Sequence, residues 1–144
     1  MIDMIAMNAT DVRKDWSSVL DSVVRHKPVF IRRTRDHMML CSTDTVSQLV
    51  CNVTFAANQY VEDDGSITLS LEALDIISHG DDLSAAKTAL VNDILEYAEE
   101  YYKEFELYSR APNRKAHLPY VMKALTAKTP KELEEAVVCQ SGKS

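Results

Sequence analysis

Leu83, Leu90, Ile94, Tyr97, Tyr101, Phe105 and Tyr108 recur at spacings of three, four and seven, the period of one face of an α-helix. Asp81 and Asp82 open that helix and Pro112 closes the run, so the sequence predicts its longest element from residue 81 to about residue 108. The same stretch holds Tyr97, Tyr101, Tyr102, Phe105 and Tyr108, half of the chain's aromatic residues. An aromatic stripe at this spacing is ordinarily core. Its functional version is a protein-docking surface, since Tyr and Phe supply anchor contacts at interfaces.

The neighbouring segments carry turn and cap signals. Gln59-Tyr60-Val61 and Ser66-Ile67-Thr68-Leu69 flank Glu62-Asp63-Asp64-Gly65, a D-G turn between β-formers, and predict a hairpin. Ser70 is positioned to cap a helical turn over residues 71–77, with Gly80 as its stop. Leu118, Val121, Met122 and Leu125 predict a short helix. Thr129-Pro130-Lys131-Glu132 reads as a capping box with Pro at the first helical position, starting a last helix over about 130–138. Residues 139–144 read as a frayed tail.

The first fifty residues have a different grammar. Ile2 to Met7 reads as a short strand, and Asn8 can cap a helix carrying Val12, Trp16, Val19, Leu20 and Val23 on one face. That helix should end at Arg25-His26-Lys27, because the residue before Pro28 is pushed out of the α region. Val29-Phe30-Ile31 and Met38-Met39-Leu40-Cys41 read as two strands joined by a turn at Thr34 to His37. Ser42 or Thr43 can then cap a short helix through Val46, Leu49 and Val50. A β-α-β-β-α unit this small buries little surface alone, and dimerisation is the natural remedy.

Composition narrows the function classes. The chain has 144 residues, 46% hydrophobic and 26% charged, which suits a folded globular protein rather than a disordered one. No apolar run approaches the ~18 residues of a membrane span, and no basic leader with an apolar core opens the chain. Cys41, Cys51 and Cys139 lack C-x-x-C spacing, which points to a reducing cytoplasm rather than a disulfide framework. Three glycines cannot build a phosphate cradle, so no nucleotide site is visible.

Candidates for chemistry are few, and neither metal nor cofactor is expected. His26, His37, His79 and His117 stand in no zinc-binding spacing. Glu62, Asp63 and Asp64 lack the alternation of a calcium loop. Glu96, Glu99, Glu100, Glu104 and Glu106 could pair for metal-assisted hydrolysis, but read more simply as an exposed acidic face. With no nucleophile elbow either, the chain reads as a non-enzyme.

Charge is more informative. The net charge is −6, yet residues 11–35 hold seven basic groups against three acidic ones. Arg13 and Lys14 lie in the first turns of the first helix; Arg32, Arg33 and Arg35 lie at a strand end and its turn. Arginines beside a helix start suit phosphate and guanine edges.

Asn8-Ala9-Thr10-Asp11-Val12-Arg13-Lys14, Val19-Leu20-Asp21-Ser22-Val23 and Lys27-Pro28-Val29-Phe30-Ile31-Arg32-Arg33 resemble, in that order, the N-terminal domain of the Phd/YefM antitoxins. The resemblance covers roughly residues 4–53. It implies a dimeric domain that binds operator DNA, while the rest of the chain neutralises a cognate toxin. Arg13 matches the family's helix arginine and Arg33 its hairpin arginine, with Asn8, Thr10 and Lys14 on the same surface. The sequence departs from the pattern in the turn Thr34-Arg35-Asp36-His37, which lacks the usual glycine, and in Trp16, where leucine is usual. Glu96 to Tyr102 and Asn113 to Tyr120 look similar to a longer antitoxin-like subgroup.

The expectation is therefore an α+β protein: a dimerisation and DNA-binding domain over 1–53, then a hairpin and a mainly helical partner-binding module over 54–138. Its partners would be a toxin, operator DNA and a second copy, in the cytoplasm and away from membranes. DNA would meet Asn8, Thr10, Arg13, Lys14, Arg32, Arg33 and Arg35; the toxin would meet Tyr97, Tyr101, Tyr102, Phe105 and Tyr108. The alternatives are a DNA-binding regulator or adaptor without a toxin partner and, further off, a carboxylate-dependent nuclease.

Overall fold

The structure is a computed structural model that describes residues 2–142, in two compact units, Met1–Gln48 and Leu49–Ser144. The division falls within the third helix, a few residues before the boundary expected at 53. Lys143 and Ser144, the end of the expected tail, lie outside the described residues.

The first unit holds three strands, β1 (Met7–Asn8), β2 (Val29–Arg33) and β3 (Asp36–Leu40), with helices α1 (Ala9–Lys14), α2 (Trp16–Arg25) and α3 (Thr43–Leu49). The expected N-terminal strand shrinks to two residues, because Ile2–Met4 form a 3-10 turn. β1 runs parallel to β2, and β2 and β3 form an antiparallel hairpin. The expected single helix breaks at Asp15, whose φ of −113° and ψ of 37° leave the helical region. Asn8 does not cap it with its side chain. α2 ends at His26, as Pro28 requires. Ser42 caps α3, its Oγ accepting from the Thr45 amide at 3.2 Å.

The core of this unit is four valines: Val12, Val19, Val23 and Val29. Trp16 (49% exposed) and Leu20 (38%) belong to the same apolar helix face and are not covered. Thr34 opens the two-residue turn of the hairpin at φ 53°, a left-handed conformation that a β-branched residue adopts only under strain.

The second unit is a four-stranded sheet with helices on one face. β4 (Phe55–Val61), β5 (Ile67–Leu71) and β6 (Ile76–Gly80) form an antiparallel meander, and β7 (Val137–Ser141) lies parallel to β4, giving the order β6-β5-β4-β7. Alternation along the strands sends Phe55, Ala57, Leu69, Leu71 and Val137 to one side. There they meet Leu90, Ile94 and Tyr101 of α4 (Leu83–Lys103), Val121 of α6 (Leu118–Thr126) and Leu133 of α7 (Pro130–Ala136). Asp82 caps α4 by accepting from the Ala85 amide at 2.8 Å. The Ser78 hydroxyl donates to Asp93 at 2.6 Å, tying α4 to β6.

Several local expectations change here. The helix predicted over 71–77 is a single 3-10 turn, Glu72–Leu74, stopped by Asp75 at φ 56°; β-branched Ile76 and Ile77 then continue as β6. Gly80 ends that strand rather than a helix, and a Cβ there would run into the backbone of Ala85 and Ala86. The long helix breaks at Glu104 (φ −109°, ψ 37°), and a separate α5 (Phe105–Arg110) follows. The expected tail is ordered as far as Ser141 because β7 finds a partner in β4. The capping box is also modified: Thr129 Oγ1 accepts from the Glu132 amide, but the Glu132 carboxylate reaches back to the amide of Lys128. No helix among the described residues is long and apolar enough to cross a membrane.

Candidate nucleic-acid and partner surfaces

The basic residues of the first unit fall on two faces. Side chains alternate across β2, so Ile31 and Arg33 point toward the helices while Phe30 and Arg32 point away. Arg33 therefore meets Arg13 of α1: both line one concavity of about 490 Å³, floored by Val12, Trp16, Ile31 and Met38. Lys14 and Thr10 are exposed on the same short helix. Arg33 also pairs with Asp36 across the turn at 3.0 Å, an exposed contact that water screens. Arg35 is exposed within that turn.

Arg32 and Asn8 do not join this set. Arg32 donates to Asn8 Oδ1 at 3.2 Å and to Asp3 at 3.3 Å, and His37 Nε2 approaches the same Asp3 oxygen at 3.3 Å. Of the sequence-predicted residues, Arg13 and Arg33 converge, Thr10, Lys14 and Arg35 flank them, and Arg32 and Asn8 hold each other on the opposite face. The alternation of β2 was the signal that could have separated them.

The aromatic stripe of the second unit also divides. Tyr101 is fully buried, its hydroxyl donating to the Arg114 carbonyl at 3.2 Å. Tyr97 and Tyr108 stack beside it, 6.4 Å between ring centroids. Tyr102 (65% exposed), Phe105 (37%) and Leu107 (63%) face solvent at the α4–α5 corner. Leu107 was not anticipated, because its position depends on the break at Glu104.

The buried half of the stripe is clamped by two residues that the sequence left unassigned. Arg114 lies over the Tyr108 ring at 4.5 Å and the Tyr97 ring at 5.6 Å, both within cation–π reach. His117 Nδ1 meets the Tyr97 hydroxyl at 2.7 Å. Burial pushes the Tyr97 phenol above its ordinary pKa and the His117 imidazole below its own. The phenol thus keeps its proton and the imidazole is neutral. Arg114 Nη1 donates to the same phenol oxygen at 3.5 Å; in the tautomer in which the phenol donates to Nδ1, the imidazole proton lies on Nε2. Tyr108 donates to Glu100 at 2.7 Å, and that bond, more than burial, raises its phenol pKa. Among the described residues, no three His, Cys, Asp or Glu side chains are grouped to hold a metal ion.

A family model, PHD_like, described as antitoxin of toxin-antitoxin, RelE / RelB, TA system, matches residues 3–139. A crystal structure from Syntrophomonas wolfei subsp. wolfei, described as the antitoxin part of a candidate toxin/antitoxin system, superposes with a TM-score of 0.90 at 31% identity. The match covers 95% of this chain and 99% of that one. Comparison with curated proteins gave no match.

Proposed function

The chain belongs to the PHD_like family of antitoxins of RelE/RelB toxin–antitoxin systems, and from that premise we propose that it acts in the Phd/YefM manner. Its N-terminal unit binds operator DNA as a homodimer and represses its own operon, and its C-terminal unit binds and silences a toxin in the cytoplasm. It works by binding rather than by catalysis.

The observation that carries the DNA reading is the convergence of Arg13 and Arg33 on one concavity, from a helix and a hairpin far apart in sequence. Two guanidiniums at that site offer bidentate contacts to guanine or phosphate. The dimer reading is supported by the four-valine core and by exposed Leu20 and Met39, apolar surface outside that concavity that a second copy would cover. For the toxin, the buried Tyr101 and the half-buried Tyr97 and Tyr108 give way to Tyr102, Phe105 and Leu107, the exposed anchors of the acidic unit.

Titration of the full chain against DNA from upstream of its gene, at several salt concentrations, tests this reading. Arg13→Ala should weaken binding by about 1–3 kcal/mol. Arg35→Ala should weaken all sequences alike and reduce the salt slope by about one unit. Arg13 and Arg35 variants that bind that DNA as the wild type does would remove the operator from the account.

A further inference from the structure

Beside the tyrosine clamp, and wholly within the second unit, lies a polar cleft of about 200 Å³. Asp75, Glu100, Asn113, Arg114 and His117 line it, with Leu74 and Ile76 as its apolar wall. Its charges are arranged in an unusual way. Glu100 is engaged by the Tyr108 hydroxyl. The guanidinium of Arg114 lies on two tyrosine rings and makes no ion pair among the described residues. The carboxylate of Asp75 accepts no hydrogen bond from them either. Asp75, at φ 56° where it stops the 3-10 turn, is one of two non-glycine residues at positive φ among the described residues. His117 adds a third open group: its Nδ1 is taken by Tyr97, and Nε2 has no partner among the described residues. Because no buried side-chain nitrogen or oxygen among the described residues lacks a partner, Nε2 is accessible rather than sealed in.

A guanidinium and a carboxylate thus share one small cleft without touching. A simple anion there would meet Arg114 but face Asp75 and Glu100. A simple cation would meet the carboxylates but face Arg114. A ligand carrying both charges a few ångströms apart completes both ends. We propose that this cleft binds a small zwitterion of the α-amino acid class, its carboxylate on Arg114 and the Nε2–H of His117, its ammonium on Asp75. The volume and the Leu74–Ile76 wall admit a small to mid-sized side chain. The site owes nothing to the toxin or operator, so it stands or falls separately from the proposed function.

The test is an NMR titration of the isotope-labelled full chain, following the His117 imidazole and the Asp75 amide. L-alanine and L-glutamine, at millimolar concentration, should give saturable shifts at both positions. Acetate and methylammonium, each carrying one charge, should bind at least about tenfold more weakly. Asp75→Asn is the informative variant, because Asn adopts the left-handed conformation readily and keeps the fold. It should weaken L-alanine binding by about tenfold. No saturable shift with either amino acid would overturn the proposal. So would acetate or methylammonium matching L-alanine, or unchanged affinity in Asp75→Asn.

Discussion

The two units are built from the same kind of apolar helix face, with opposite outcomes. In the first, α2 offers Trp16, Val19, Leu20 and Val23, yet only Val19 and Val23 are buried, beside Val12 and Val29. In the second, α4 lies against a sheet, and its face joins a core of sixteen buried residues that includes Phe55, Leu69, Tyr101 and Leu133. The apolar stripe is sharper in α2 than in α4, so the pattern itself does not decide the outcome. What differs is the surface available to cover it: a three-stranded hairpin sheet in one unit, four strands and two further helices in the other. A small domain leaves too much apolar surface in water to be stable alone. The larger unit has no such debt, which suits the proposed division of labour between a self-associating unit and one that presents a docking surface.

Separating the units gives the largest expected effect. Residues 49–144 alone should retain near-ultraviolet circular dichroism and slow amide exchange. A fragment of residues 1–55 should lose its structure on dilution, as its dimer dissociates. A fragment 1–55 that stays folded and monomeric at low concentration would erase the contrast.

Core truncations sharpen it. Leu69→Ala should destabilise the second unit by about 2–5 kcal/mol, with a denaturation midpoint independent of protein concentration. Val19→Ala should lower a midpoint that rises with concentration, as the proposed coupling of folding to pairing requires. Concentration dependence appearing in the wrong unit would reverse the assignment.

A smaller effect is expected at the hairpin turn. Thr34→Gly removes the strain of a β-branched residue at φ 53° and should stabilise the first unit by about 1 kcal/mol. The smallest concerns pH. Burial holds the folded-state pKa of His117 below its ordinary value; Asp75 opposes this, and Arg114 adds to it. The folded state therefore binds fewer protons than the unfolded chain. This group contributes full stability above the ordinary histidine pKa of about 6.5 and loses it as pH falls from there toward the depressed value. His117→Asn should flatten that part of the stability profile of the second unit and leave the first unit's profile unchanged.

Much of this was legible in the sequence where local chemistry decides the outcome. Pro28 ended α2, Asp82 and Thr129 capped their helices, and the turn at Gly65 (φ 85°) joined β4 to β5. The failures occurred where a distant partner decides. Val137 and Val138 read as the end of the last helix and residues 139–141 as a frayed tail, until β4 offers a parallel edge. Residues 71–77 read as a helical turn stopped at Gly80 until the sheet requires a third strand over Ile76–Gly80. At the candidate sites, sequence grouped Arg13 and Arg33 with Arg32 and could not separate them, because a one-residue step turns Arg32 to the other face. It also could not tell buried Tyr101 from exposed Tyr102, because the break at Glu104 and the stacking of Arg114 are tertiary events.

The most direct measurement of the division of labour uses two double variants of the full chain in parallel. Each is assayed for binding to upstream DNA and for rescue of cells expressing the product of the adjacent gene. Arg13→Ala with Arg33→Ala should lose the DNA and keep the rescue; Tyr102→Ala with Leu107→Ala should lose the rescue and keep the DNA. If the arginine pair abolishes rescue while DNA binding stays at the wild-type level, the two units have been given each other's roles.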